Sequence, residues 1–415
     1  MGATFAEKVL AQASGKKELA PGEIVTAQID RVWLTSMADV GEVLEKHGAD
    51  RVWDPERVAV VHGAESAPPA SIETANRYEQ SREACAKYGV THLYDFGQHG
   101  ACHIVAMERD GIRPGELVIS DNVDIGALGA LNVAATPAPE IPYVLATGEL
   151  WFEVPESSRW ILTGELPQGV YAKDLGLHLA GEYGADAGLM KSFEFTGPTV
   201  DAMSLESRLT LGCMTRELGA EFTAFEADQN VLDWAMRSPL PYTPVWGDAD
   251  AAYAELREID VSGLEPQVAC PHAVDNVKPV SEIAGTAIQQ AYLGGPHAHY
   301  EDIEVAAHIL RGKRIHPEVR MIVTPATQTI YNRMVRSGLV KLLMDAEVVV
   351  TGATAGAEAG VHAGVLGRGE VAISTGTRNF QGRMGSIESS VYLASAASVA
   401  ASALAGEIAD PRTYL

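Results

Sequence analysis

Short apolar runs that take turns with longer amphipathic stretches constrain the fold of this chain before any motif is considered. Val58-Ala59-Val60-Val61, Leu117-Val118-Ile119-Ser120, Trp160-Ile161-Leu162 and Glu347-Val348-Val349-Val350 read as strands, and Ser71 to Tyr88 and Lys173 to Tyr183 read as helices between them. Strands alternating with helices pair in parallel, because a parallel neighbour is reached only by a crossover long enough to hold a helix. Forty glycines without a collagen-like period supply the tight turns such a chain needs. The opening residues add an amphipathic helix with Phe5, Val9 and Leu10 on one face, ending near Ser14-Gly15. The Pro-, Asp- and Glu-rich segment from Pro239 to Lys278 reads as a surface connection. These signals predict an α/β protein of three domains, at residues 1–160, 161–281 and 282–415.

Charge narrows the partners. The net charge of −24, from 31 basic against 55 acidic residues, excludes nucleic acid and anionic membrane as main partners, since phosphate neutralisation needs clustered Lys and Arg. An anionic substrate must therefore meet a locally basic pocket. No run of 18 apolar residues exists, and the longest candidate, around Ala394 to Ala405, is Ala/Ser-rich and too short to span a bilayer. The start, Met1-Gly2-Ala3-Thr4-Phe5-Ala6, lacks the apolar core of a signal peptide, and Ala6 breaks the myristoylation pattern. Cys85, Cys102, Cys213 and Cys270 have no paired spacing, as expected of reduced thiols in a cytoplasmic protein.

The stretch Ser374-Thr375-Gly376-Thr377-Arg378-Asn379-Phe380-Gln381-Gly382-Arg383 resembles the signature S-T-S-N-R-N-F-E-G-R of the aconitase and isopropylmalate isomerase family. Other stretches resemble that family in the same order. They include Phe5 to Leu10 with Pro21-Gly22-Glu23-Ile24-Val25, Val52-Trp53-Asp54-Pro55, Tyr171-Ala172-Lys173-Asp174, and Phe193-Glu194-Phe195-Thr196-Gly197. Pro271-His272 with Asp275 to Val280, and the tail from Tyr392 to Gly406, complete the series. The resemblance implies three α/β/α domains of the aconitase type. The chain ends where the family's large subunits end, so the swivelling fourth domain is expected on a separate small subunit.

The same resemblance exposes what is missing. The family's first cluster cysteine falls at Gly295 or Pro296, in a loop one residue shorter here, and the other two fall at Ala353 and Gly356. None of these residues can ligate iron, so no 4Fe-4S cluster is expected. The family's D-S-H triplet reads Asp121-Asn122-Val123, its D-H pair falls at Ala64-Glu65 or near Val61-His62, and its early H-D falls at Thr35-Ser36. Matching family site residues remain at His103, whose family partner is Asp121, at Glu217, and at Arg378 and Arg383, with Thr377 beside them.

In the family, the cluster's open iron helps hydroxide leave, and a serine from the small subunit's domain takes the carbon-bound proton. Without that iron another acid is required. His103 held by Asp121 is one candidate, since a carboxylate fixes an imidazole's tautomer and raises its pKa; the alternative is a structural pair. Glu217 is a candidate acid or base, or a solvated helix charge. His297 and His299, spaced to point the same way on an extended loop, are the candidates for a mononuclear divalent metal, against the ordinary reading of polar loop residues. His62, Glu65 and Asn122 are further candidates. Arg378 and Arg383 are expected to hold substrate carboxylates through planar forks, unless they only pair with nearby acids. The reading is a cluster-free hydro-lyase or isomerase of a small di- or tricarboxylate, the large subunit of a two-subunit enzyme. The alternatives are a non-catalytic carboxylate-binding or regulatory paralogue, or an altered reaction such as cyclisation or decarboxylation.

Overall fold

The computed structural model describes residues 2–63, 66–109 and 111–415. Among these the strands form four sheets. The first has five parallel strands in the order His92–Tyr94, Val58–Val61, Arg31–Leu34, Leu117–Ser120, Ala134–Pro137. Its long helix Ile72–Tyr88 begins where the Ser71 hydroxyl accepts from the Thr74 amide, and stops at Gly89, whose φ of 71° few other residues tolerate. An antiparallel ribbon of Ile24–Gln28 and Glu149–Glu153 closes this part of the molecule.

The second sheet orders Phe222–Phe225, Lys191–Thr196, Glu156–Thr163 and Glu255–Asp260, all parallel. The third runs Val277–Pro279, Gln267–Ala269, Ser390–Leu393, Val371–Ser374, Gln290–Leu293, Arg320–Val323, Val349–Val350. Its first three strands pair antiparallel and the rest parallel. The fold is thus mixed α/β, with parallel pairing dominant as the alternation requires.

Three details depart from the sequence expectations. The Pro239–Lys278 segment is not only a connection, because it supplies the edge strand Glu255–Asp260 to the second sheet and Gln267–Ala269 to the third. The break expected at 160 falls inside the strand Glu156–Thr163, and the one at 282 falls after two strands of the third sheet. Sheet membership passes from the first sheet and its ribbon to the second sheet between Glu153 and Glu156, and from the second to the third between Asp260 and Gln267. The run from Glu347 forms a strand only at Val349–Val350, because Glu347 itself sits at a φ of 70°.

The Ala/Ser run is the helix Ala396–Ala405, buried beneath the third sheet with Ala291, Ile373 and Met321 in one apolar cluster. Its small side chains let it lie close against the helix Tyr300–Leu310. Among the described residues no helix is long and apolar enough to cross a membrane. The first two sheets are joined through buried Asn132, whose amide donates to the Phe225 and Val245 carbonyls while its oxygen accepts from the Val245 amide. Each polar atom of that side chain is satisfied, which makes its burial tolerable.

Candidate active site

In the third sheet the strand order reverses between Gln290–Leu293 and Val371–Ser374. Loops leaving the carboxyl ends of two such strands diverge and open a crevice, the usual ligand position in an open α/β sheet. Here those loops are Gly294 to His299 and Thr375 to Arg383. Thr375 ties them together: its hydroxyl accepts from the Gly294 amide and donates to the Gly294 carbonyl, both at 2.9 Å. Asn379 fixes the second loop by donating to the Cys270 and Val391 carbonyls.

Both arginines sit on the second of these loops, and both meet carboxylates of the chain itself. Arg378 forks onto Glu217, with Nε 3.0 Å from Oε2 and Nη2 2.7 Å from Oε1. Burial works against the guanidinium's charge, but Glu217 holds its pKa above the ordinary value. Arg383 donates from Nη2 to Glu358 Oε1 at 3.2 Å. Thr377 does not project into the crevice. It is buried, and its amide and hydroxyl both donate to the same Glu358 oxygen. Glu217 closes the helix Leu205–Glu217, one turn beyond Cys213, so the two share a face. The Cys213 thiol, pushed well up by burial, faces Asp124 Oδ1 at 3.5 Å. Asp124 is raised to about 6 by burial and then by the neighbouring charge of Glu358.

The sequence reading assigned no role to Lys173, yet it lies at the centre of this arrangement. It enters at the start of the helix Ala172–Tyr183 and is almost wholly buried. Its Nζ donates to the Gly376 carbonyl at 2.8 Å and lies 3.1 Å from both His297 Nδ1 and Met214 Sδ. Burial lowers it to about 8. His103, His297 and His299 gather nearby, each lowered first by burial and then, for the two loop histidines, by neighbouring positive groups. His103 falls to about 4 and His299 to about 3, so both are neutral at physiological pH.

The first-domain candidates are arranged differently from expectation. His103 and Asp121 do not pair. Among the described residues the His103 ring has no carboxylate partner and lies beside the Pro296 backbone, while Asp121 accepts from the Thr35 amide and hydroxyl. The physical reason lies in the sheet: Thr35 and Asp121 follow adjacent parallel strands, so the carboxylate is spent bracing two strand ends. Asn122 is a helix cap, its oxygen accepting from the Asp124 amide at 2.9 Å. His62 is fully buried between Asp95 and Ser81, each 3.0 Å from a ring nitrogen. That order of serine, histidine and aspartate has no nucleophile to offer, because Ser81 is buried within a helix and its oxygen already accepts from the Met37 amide. Glu65 lies outside the described residues.

His297 and His299 are both buried rather than solvent-facing, and His297 Nδ1 also approaches the Thr375 carbonyl at 3.2 Å. Among the described residues no group of three or more His, Cys, Asp or Glu side chains is arranged to hold a metal ion. The positions matched to the cluster cysteines have neighbours of their own. A side-chain carbon at Gly295 would overlap Glu358 Oε2, and one at Gly356 would overlap the Tyr292 hydroxyl. Tyr292 is held there by donating to the Ala355 carbonyl at 2.8 Å.

A mixed α/β chain with two arginines on the loop that follows a reversal of strand order is the class that fold and site define, and comparison with known proteins makes it specific. The chain matches the aconitase family (aconitate hydratase) over residues 51–406, and it belongs to that family. It is 42% identical, over the whole of both chains, to 3-isopropylmalate dehydratase large subunit 1 of Methanopyrus kandleri. It is 38% identical to a probable methanogen homoaconitase large subunit of Methanothermobacter thermautotrophicus, covering 98% of this chain and 97% of that one. Among solved structures, aconitase X of Thermococcus kodakaraensis in its holo form aligns over 92% of this chain and 94% of its own. That match has a TM-score of 0.50 at 12% identity and speaks for the fold alone.

Proposed function

We propose that this chain is the large subunit of a hydro-lyase or isomerase that acts on a small di- or tricarboxylate without an iron–sulfur cluster. Relatives named as dehydratase and homoaconitase large subunits support the reaction class and a separate small subunit. The observation that carries the cluster-free part is the filled space at Gly295 and Gly356. A side-chain carbon at Gly295 or Gly356 would require the Glu358 carboxylate or the Tyr292 hydroxyl to shift, and Pro296 and Ala353, the other matched positions, offer no ligand atom, which supports the cluster-free reading. No step is therefore routed through iron. Arg378 and Arg383 are the groups that would hold substrate carboxylates, each exchanging its present carboxylate for one on the ligand.

Purified chain, alone and with its small subunit, tests this directly. Iron and acid-labile sulfide should be absent, and alkene formation from malate, citrate or 3-isopropylmalate should proceed without added iron. A brown protein with stoichiometric sulfide would overturn the cluster-free part. A colourless protein that binds these acids and converts none would favour the carboxylate-binding paralogue, a reading supported by the separation of His103 from Asp121.

A further inference from the structure

Hydroxide leaves a hydroxy acid only when its oxygen meets a positive centre or receives a proton. The imidazole expected to give that proton is poorly placed for it, since burial favours the neutral ring of His103 and no carboxylate among the described residues lies behind it. We infer that Lys173 is the proton donor to the leaving hydroxyl, an assignment that rests on the hydro-lyase reading above.

The argument is geometric. A buried lysine that serves structure is ordinarily paired with an acid. Lys173 makes no ion pair among the described residues; its partners are a carbonyl, an imidazole and a thioether. Gly376, whose carbonyl it holds, lies two residues before Arg378 in the loop that carries both arginines. The ammonium is thereby tied to the segment that would fix the substrate. Glu358 and Glu217 lie close enough to favour its charged form, yet neither claims one of its protons. Of the three N–H groups, the one facing Met214 Sδ has the weakest acceptor, and a hydroxyl oxygen would replace it at least loss. The lowered pKa makes the group a stronger acid than an ordinary lysine.

The step balances without an outside reagent. The C–H pair becomes the new C=C bond as a base takes that proton, the C–O pair leaves with oxygen, and Lys173 converts the departing hydroxide to water. Glu358 Oε2, free of hydrogen bonds among the described residues, is a carboxylate within this site able to act as that base. Hydration runs the same path in reverse, with the neutral amine taking a proton from water.

The test uses the complete complex and whichever of malate, citrate or 3-isopropylmalate it dehydrates, together with the same acid bearing fluorine in place of the hydroxyl. Fluoride is a better leaving group and depends less on a proton. Lys173→Met, an apolar replacement of similar volume, should lower kcat for dehydration about a thousandfold while leaving KM and the rate of fluoride loss nearly unchanged. Lys173→Arg, which keeps the charge but is a far weaker acid, should be folded and comparably slow, and serves if the methionine variant does not fold. Equal loss of both eliminations, or dehydration at the wild-type rate, would overturn the assignment while leaving the hydro-lyase reading intact. A wild-type complex that dehydrates none of these acids would remove that reading, and the Lys173 role with it.

Discussion

The first and third domains carry residues matched to the same family site, yet they have fared differently. In the third domain Arg378 and Arg383 converge on one crevice, because both sit in a single loop fixed by Thr375 and Asn379 to neighbouring strands. In the first domain Asp121 and Asn122 keep their places in the chain but serve Thr35 and Asp124, and His103 is left beside the Pro296 backbone. A site element held by backbone bonds within one loop survives drift as a unit. One that depends on two side chains meeting across separate segments is dismantled when either finds a nearer partner.

The sharpest way to break that contrast is to titrate His103. Burial lowers it from the ordinary imidazole range to about 4, so the native state favours the neutral ring. Stability from this group is present above pH 6.5 and lost as pH falls toward 4, by about 3 kcal/mol in all. Denaturant melts across that range should show the loss in wild type, and His103→Gln should remove the share of His103, the rest coming from histidines such as His297 and His299 that burial lowers in the same sense. A flat wild-type profile would mean the ring is not buried neutral, and that the first-domain site is still intact.

A somewhat smaller effect is expected at Arg378. Truncation to Ala leaves the half-buried Glu217 without its cation and should cost about 2 kcal/mol of stability. Adding Glu217→Gln should restore much of that stability without restoring dicarboxylate affinity. Recovery of both would reduce the pair to a structural bridge.

Arg383→Lys probes geometry alone. An ammonium cannot reproduce the fork, and calorimetry with citrate should show affinity weakened about tenfold, or about 1.4 kcal/mol. Equal affinity in both proteins would leave Arg383 to Glu358.

The smallest effect belongs to Asp121→Asn, which weakens the brace to Thr35 by about 1 kcal/mol and should leave dehydration unaffected. Loss of activity in a folded variant would return Asp121 to the site and close the gap between the two domains.

Much of the fold was legible in the sequence because strand and helix periodicities are local. Val58–Val61, Leu117–Ser120 and the helix Ile72–Tyr88 needed only their own residues and caps to be recognised. The arginine loop was legible for the same reason, as one contiguous motif. Lys173 was not, because its meaning comes from Gly376, 203 residues away, and from His297 on a third segment. Tyr171-Ala172-Lys173-Asp174 served only as a family marker, although a lysine opening so apolar a helix was a usable signal. Glu358 was similarly hidden inside a stretch read only for its absent cysteines. The Pro239–Lys278 segment misled because Glu255–Asp260 is an edge strand, where polar residues are tolerated, and Gln267–Ala269 is only three residues long.

The pairing of both arginines with the chain's own carboxylates has a thermodynamic consequence. Ligand capture becomes an exchange of anions, in which a dicarboxylate must evict Glu217 and Glu358 together. Each evicted carboxylate loses its cation, so the net affinity is the difference between two anions competing for the same guanidinium rather than the full strength of either contact. A monocarboxylate, able to evict only one of the two, would leave the second arginine closed.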